Sequence, residues 1–257
     1  MIKTTLLILS LVCLGYLVLC VFLFLQQRSV LYYPHPPSRS GEAEAFWLEN
    51  EKQRLKIWQV KRAAGPALIY FGGNAEDVAL NLSGFKNLLP DYSLFLMNYR
   101  GYGGSSGSPT QDGLYADSLA LYDYVAAAHP DIVVVGRSLG SGVAVYLATK
   151  RPVRAVVLIT PYASMVDLAK HHYPYVPVKR LLKDRFESIR FAPDIRVPVL
   201  NLIAEHDEVI PRTISEDLVN AFAPGIAETV IIRGTYHNTI DANPDYDLSL
   251  KTFLENL

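Results

Sequence analysis

The chain opens on an unbroken apolar run and then changes its pattern. Residues 4–27 carry no charged side chain, and residues 6–25 are almost wholly Leu, Val, Ile, Phe and Cys. Twenty residues at the helical rise reach roughly 30 Å, the hydrocarbon thickness of a bilayer. The rival reading is a cleaved signal peptide, whose apolar part is about 7–15 residues long and ends at a small-x-small site. Here the run is longer and gives way to Phe24-Leu25-Gln26-Gln27-Arg28. Neither Cys13 nor Cys20 follows the small residue that precedes a lipidated cysteine. The pattern predicts an uncleaved transmembrane anchor over residues 5–26. Lys3 and the amino terminus face Arg28 and Arg39 across it, so the positive-inside rule leaves the orientation open. Cys13 and Cys20 share one face of that helix and read as lipid-facing filler.

Residues 27–44 contain Pro34, Pro36, Pro37, Ser38, Ser40 and Gly41 and read as an extended connector to a domain over residues 45–257. Within the domain, short apolar runs alternate with helical periodicity. Residues 45–48 and 55–60 predict two strands joined by a polar turn. Further apolar runs at 67–71, 92–99, 132–135, 153–159, 197–203 and 229–232, the later ones rich in β-branched residues, read as strands buried on both faces of a parallel sheet. Helical spacing follows Thr110 through Leu114, Ser118, Leu121, Tyr122 and Val125. It recurs through Tyr246, Leu250, Phe253, Leu254 and Leu257, after Asn243 as cap and Pro244 as first helical residue. Such alternation predicts a doubly wound, mostly parallel α/β sheet. Residues 164–194 break it with Pro174, Pro177 and Pro193 around one helix-like piece at 178–186, and read as a lid-like insertion.

Composition narrows the possible functions. The chain has 257 residues, half of them hydrophobic, too many for a disordered chain. Lys and Arg number 24 against 25 Asp and Glu, so the basic excess of a nucleic-acid binder is missing. Two cysteines, both in the apolar run, exclude a disulfide framework and a cysteine-based zinc site. No two histidines are four apart, and there is no G-x-x-x-x-G-K loop. Gly101, Gly103 and Ser106 narrowly fail the dinucleotide fingerprint. Neither a metal nor a cofactor is expected. His35 and His129 read as surface residues, His171 and His172 as exposed positions of the insertion, and His206 as shaping its own loop.

The chemistry resides in G-x-S-x-G, the nucleophile elbow. Chance yields it roughly 0.1 times in a chain of this length and average composition, and it occurs twice, at 103–107 and 136–140. The first copy runs into Ser108-Pro109, which cannot start a helix directly. The second follows the strand at 132–135 and precedes a helical stretch rich in Ala, Val and Leu at 139–149. Only Ser138 meets the strand–turn–helix requirement. A serine hydroxyl is a poor nucleophile until a base takes its proton. In such folds acid and then histidine follow the serine along the chain. His237, between the last strand and the last helix, is the candidate base. Asp207, after the strand at 197–203, is the candidate acid, with Glu205 as runner-up; Asp241 lies on the wrong side of His237. An oxyanion hole needs two amides: Leu139, next to the serine, and Asn74, in the Gly72-Gly73-Asn74-Ala75 turn, with Gly73 in reserve.

Taken together, these residues resemble the α/β-hydrolase superfamily, and within it the small membrane-anchored branch that includes protein depalmitoylases and lysophospholipid lipases. The marks are Leu31-Tyr32-Tyr33-Pro34, Gly73-Asn74-Ala75, Asn98-Tyr99-Arg100-Gly101-Tyr102-Gly103-Gly104-Ser105 and Gly136-Arg137-Ser138-Leu139-Gly140. Tyr173-Pro174, Lys183-Asp184-Arg185-Phe186, Asp207-Glu208-Val209-Ile210-Pro211 and His237-Asn238 complete them. The resemblance implies Ser138 as nucleophile, Asp207 as acid, His237 as base, and Ser105 as part of a structural loop. Gly72 stands where the family usually carries His, and Ala204 where it often carries Gly. The implied protein is a membrane-anchored serine hydrolase acting on an ester or thioester. Its anchor and the aromatics Tyr162, Tyr173, Tyr175 and Phe186 favour a lipid-like or acyl substrate. A serine peptidase on the same triad and a catalytically silent membrane scaffold are the alternatives. Oligomeric state is not encoded in any of these features.

Overall fold

The apolar runs pair into one eight-stranded sheet. The computed structural model describes residues 2–37, 44–63 and 65–257. The strands are β1 Glu44–Asn50, β2 Gln53–Val60, β3 Ala67–Phe71, β4 Ser93–Met97, β5 Ile132–Arg137, β6 Ala155–Ile159, β7 Val199–Ala204 and β8 Ala227–Ile232. Their order is β1-β2-β4-β3-β5-β6-β7-β8. β1, β2 and β4 pair antiparallel, and every later pairing is parallel. Glu51 and Lys52 close the first hairpin with φ of 48° and 67°, the primed turn that suits twisted strands. β3 lies between β4 and β5, so the winding reverses at β3. The crevice beyond the carboxyl ends of β3 and β5 is where such sheets place their chemistry.

The helices are α1 Ile2–Leu31, α2 Leu82–Leu88, α3 Gln111–Ala126, α4 Leu139–Lys150, α5 Met165–His172, α6 Val178–Leu181, α7 Ser188–Phe191, α8 Arg212–Ala221 and α9 Pro244–Glu255. Strand side chains alternate between two cores, as the two-residue period requires. Ile69 and Val134 face the core filled by α3, α4 and α8, whereas Tyr70 and Val135 face the one filled by α2 and α9. Thr110 and Asn243 cap α3 and α9 through side-chain bonds to the amides of Gly113 and Asp245. Each cap contributes about 1 kcal/mol.

α1 runs past the expected anchor over 5–26 to Leu31, where Gln27 and Arg28 find partners in the insertion. The first residues of the expected connector, 27–31, are therefore helical, and its residues 38–43 lie outside the described residues. α1 is long and apolar enough to cross a membrane; along it Cys13 is exposed while Cys20 is buried. The helix-like piece at 178–186 is helical only to Leu181, since Leu182 is extended and Phe186 takes φ 39°. The insertion instead holds three short α-helices and a 3₁₀ turn over Ala192–Asp194, the first helix capped by Ser164 Oγ on the Asp167 amide.

Candidate active site

Ser138 sits in the turn between β5 and α4 with φ 49° and ψ −115°. Holding a non-glycine residue there costs about 1–3 kcal/mol, which the surrounding packing must overcome. A Cβ on Gly140 would stand 2.0 Å from the Phe71 carbonyl oxygen, and one on Gly136 would stand 2.4 Å from that of Gly140. Only glycine lets α4 approach β3 and β5 so closely. The Ser138 amide donates to Ile159 (2.8 Å), fixing the turn to the end of β6.

β7 and β8 carry the other two groups to the same edge of the sheet. His237 Nε2 lies 3.0 Å from Ser138 Oγ. His237 Nδ1 lies 2.9 Å from Asp207 Oδ2 and 3.0 Å from Oδ1. Asp207 Oδ1 also accepts the amides of Val209 (3.0 Å) and Ile210 (2.7 Å), so the carboxylate is oriented before it meets the ring. The His237 side chain is 6% exposed and that of Asp207 1%. The His237 amide donates to Glu208 Oε2 (3.1 Å), which anchors the histidine loop from behind. A hydroxyl–imidazole–carboxylate row with its imidazole and carboxylate buried can move a proton from oxygen to nitrogen.

The loop after β3 closes the other side. Its Gly73 amide makes a short hydrogen bond to the Glu76 carboxylate. Glu76 Oε1 accepts the Tyr70 hydroxyl (2.7 Å), and the Tyr99 hydroxyl donates to the Gly72 carbonyl (2.7 Å). Burial pushes both phenols well above the usual tyrosine range, so both remain donors. A Cβ on Gly72 would meet Val78 at 2.5 Å, and Glu76 fills the space beside it, so the position where the resemblance leads one to expect His has no room for a side chain. Leu139, as first residue of α4, has no helical partner for its amide. The amides of Leu139 and Asn74 have no acceptor among the described residues. Glu76 escaped the sequence reading; its only signal is a carboxylate three residues after Gly73, the reach of a side chain closing back on a turn.

The remaining candidates take other positions. Glu205 accepts the Gly234 amide (2.7 Å) rather than touching His237. Asp241 pairs with Arg137 (3.3 Å). Ser105 accepts the Lys56 amide (2.9 Å) and donates to the Asn98 carbonyl (3.0 Å), away from the row. His129 is buried, not superficial: its Nδ1 lies 3.2 Å from the Gly65 carbonyl and its ring meets Phe95 edge-on. His35 is half-buried because its ring packs against Tyr102. His171 and His172 are exposed, and the His206 amide donates to Thr235 in the acid loop. Tyr162 and Phe186 are buried core residues, while Tyr173 and Tyr175 are exposed. Among the described residues no cluster of His, Cys, Asp and Glu is arranged to hold a metal.

A cavity of about 560 Å³ opens directly over Ser138. Its lining is largely apolar and comes from α1, the insertion and the Asn74 loop. The Asn74 side chain ties these parts together. Its Oδ1 accepts the Tyr33 amide (3.0 Å) and the Tyr102 hydroxyl (2.8 Å), and its Nδ2 donates to the Leu31 carbonyl (2.7 Å).

Comparison with known proteins agrees with this architecture. The family described as alpha/beta hydrolase fold matches residues 66–190. An uncharacterised protein of Mycobacterium tuberculosis is 34% identical over 238 residues, covering 85% of this chain and 83% of that protein. The lysophosphatidylserine lipase ABHD12 of Rattus norvegicus is 31% identical over 206 residues, covering 70% of this chain but 52% of the lipase. Among solved structures, the esterase Pf2001 of Pyrococcus furiosus superimposes with a TM-score of 0.70 at 17% identity, over 88% of this chain and 98% of that one.

Proposed function

The chain belongs to the α/β-hydrolase superfamily, and on that premise we propose that it is a membrane-anchored serine hydrolase that cleaves ester or thioester bonds of lipid-like acyl substrates. The observation that carries the reading is the row Ser138–His237–Asp207, joined at 3.0 and 2.9 Å. Ser138 Oγ attacks the substrate carbonyl while His237 Nε2 takes its proton. Asp207 accepts the Nδ1 proton of His237, holds the productive tautomer and stabilises the imidazolium. The tetrahedral oxyanion lies between the amides of Leu139 and Asn74. With the Gly73 amide committed to Glu76, Asn74 is the better second donor. His237 then protonates the leaving alcohol or thiol. Water, deprotonated by the same imidazole, releases the acid from the acyl-enzyme and restores the serine.

The substrate class rests on the apolar cavity over Ser138 and on the apolar length of α1 as membrane anchor. One relative points the same way, being a lysophosphatidylserine lipase. A series of p-nitrophenyl esters tests the reading on the purified full-length protein. Each methylene moved from water into an apolar cavity contributes about 0.8 kcal/mol. The expected kcat/KM therefore rises about fourfold per methylene until the cavity is full. Equal turnover of acetyl and long-chain esters would remove the lipid-like substrate and leave a general esterase.

A further inference from the structure

α1 does not leave the domain at its last residue. The Gln27 side chain donates to the Leu181 carbonyl (3.2 Å) and accepts the Lys183 amide (2.7 Å). Arg28 pairs with Asp184 at 2.9 Å; that carboxylate is 5% exposed and also accepts the Gln111 amide at the start of α3. About three turns earlier, the Tyr16 hydroxyl donates to the Tyr175 carbonyl (2.8 Å). Contacts from Tyr16 to Leu31 occupy about 22 Å of helix at 1.5 Å per residue. The insertion therefore stands beside the second half of α1, and the gap between them is the cavity over Ser138. Leu23, Phe24 and Val30 form one wall, and Leu168, Val176 and Leu182 face them.

Length places this gap relative to the bilayer. The uncharged stretch of α1 between Lys3 and Tyr16, Thr4 to Gly15, amounts to about 18 Å of helix, short of the roughly 30 Å of hydrocarbon a span must cross. The remainder must come from the segment that touches the insertion. Charges mark the boundary in the same place. Lys183 Nζ lies 4.4 Å from the Phe24 ring, and Lys170, Lys179, Arg180 and Lys183 have no acidic partner among the described residues. Unpaired cations on amphipathic stems belong at the headgroup level.

We propose that α1 is a wall of the acyl site as well as a tether, and that an acyl chain passes from the bilayer between α1 and the insertion to Ser138 without crossing water. This rests on the hydrolase reading above, and the experiment separates the two. Full-length protein in phosphatidylcholine vesicles is treated with a long-chain alkyl fluorophosphonate that carries a diazirine at the chain end. Ser138 Oγ displaces fluoride from phosphorus, illumination follows, and the crosslinked peptides are mapped. Crosslinks within residues 23–31 support the proposal. Ser138 labelling with crosslinks confined to the insertion and the sheet domain overturns it. No labelling of Ser138 removes the hydrolase reading and the proposal together. A kinetic arm uses Val30→Trp and, as control on the exposed half of the same helix, Leu9→Trp. Displacing two or more methylenes, at about fourfold each, lowers dodecanoyl-ester kcat/KM about tenfold or more in Val30→Trp. The acetyl ester loses much less, and Leu9→Trp leaves the ratio of the two unchanged. Equal dodecanoyl-to-acetyl ratios in Val30→Trp and wild type overturn the proposal.

Discussion

Ser105 and Ser138 carry the same five-residue signature in different surroundings. Ser105 Oγ is spent on the backbone of Lys56 and Asn98, whereas Ser138 Oγ meets His237. Replacing Asp207 by Asn leaves the geometry in place but favours the wrong tautomer of His237. The expected loss in kcat is on the order of 10⁴-fold with little change in KM, read by steady-state ester hydrolysis. Glu76 acts one step further out, as a positioning residue for the Asn74 loop. Glu76→Ala frees the Gly73 amide and loosens the turn that presents Asn74. A fall in kcat of about 10²-fold is expected, bounded by the loss of one oxyanion donor, again with KM nearly unchanged. A rise in KM alone would make Glu76 a substrate contact instead. Its spacing from Gly73 is the one mark Glu76 carries in the sequence, and that mark is weak because its role depends on a tyrosine from β3 and the amide of Gly73 arriving at the same point.

At the scale of elements, β3, β5 and α4 meet at a contact that tolerates no side chain. Gly140→Ala forces a methyl group against the Phe71 carbonyl and should cost about 3 kcal/mol or more, measured by chemical denaturation. The elements around this contact are the ones a sequence states plainly. β3, β5 and β6 are buried on both faces, so their runs are continuously apolar, and Thr110 and Asn243 announce α3 and α9 as caps. The insertion is less readable because its helices are four to eight residues long and are held by distant partners. Gln111 accepts the Phe186 amide, and Arg28 reaches Asp184 from α1. Such contacts leave no periodicity. For the same reason the last turn of α1 reads as connector until Gln27 and Arg28 are seen to bind the insertion. His129 misled as a polar residue at a helix end; a single carbonyl and the Phe95 ring suffice to bury it.

Across the whole molecule, two cores on one sheet hold three strand ends in register, and α1 adds an apolar wall above them. The buried phenols of Tyr70, Tyr99 and Tyr162 give this body a pH signature. Burial raises their folded-state values, so in the unfolded chain they titrate near the ordinary value of about 10. Above that pH the folded state binds more protons than the unfolded state, and stability falls as pH rises. Below it the contribution is complete. Denaturation midpoints should accordingly show no loss from these groups between pH 8 and about 10 and then decline, with phenolate absorbance lagging until unfolding. Full phenolate absorbance in a folded protein would contradict their burial. The central claim, that Ser138 is an activated nucleophile, is tested most directly by fluorophosphonate labelling of the full-length protein, with the modified residue located by peptide mass. The account predicts one labelled site, Ser138, in wild type and in Ser105→Ala, and none in Ser138→Ala. A folded wild type that takes no label, or a Ser138→Ala variant that still takes it, would contradict the account.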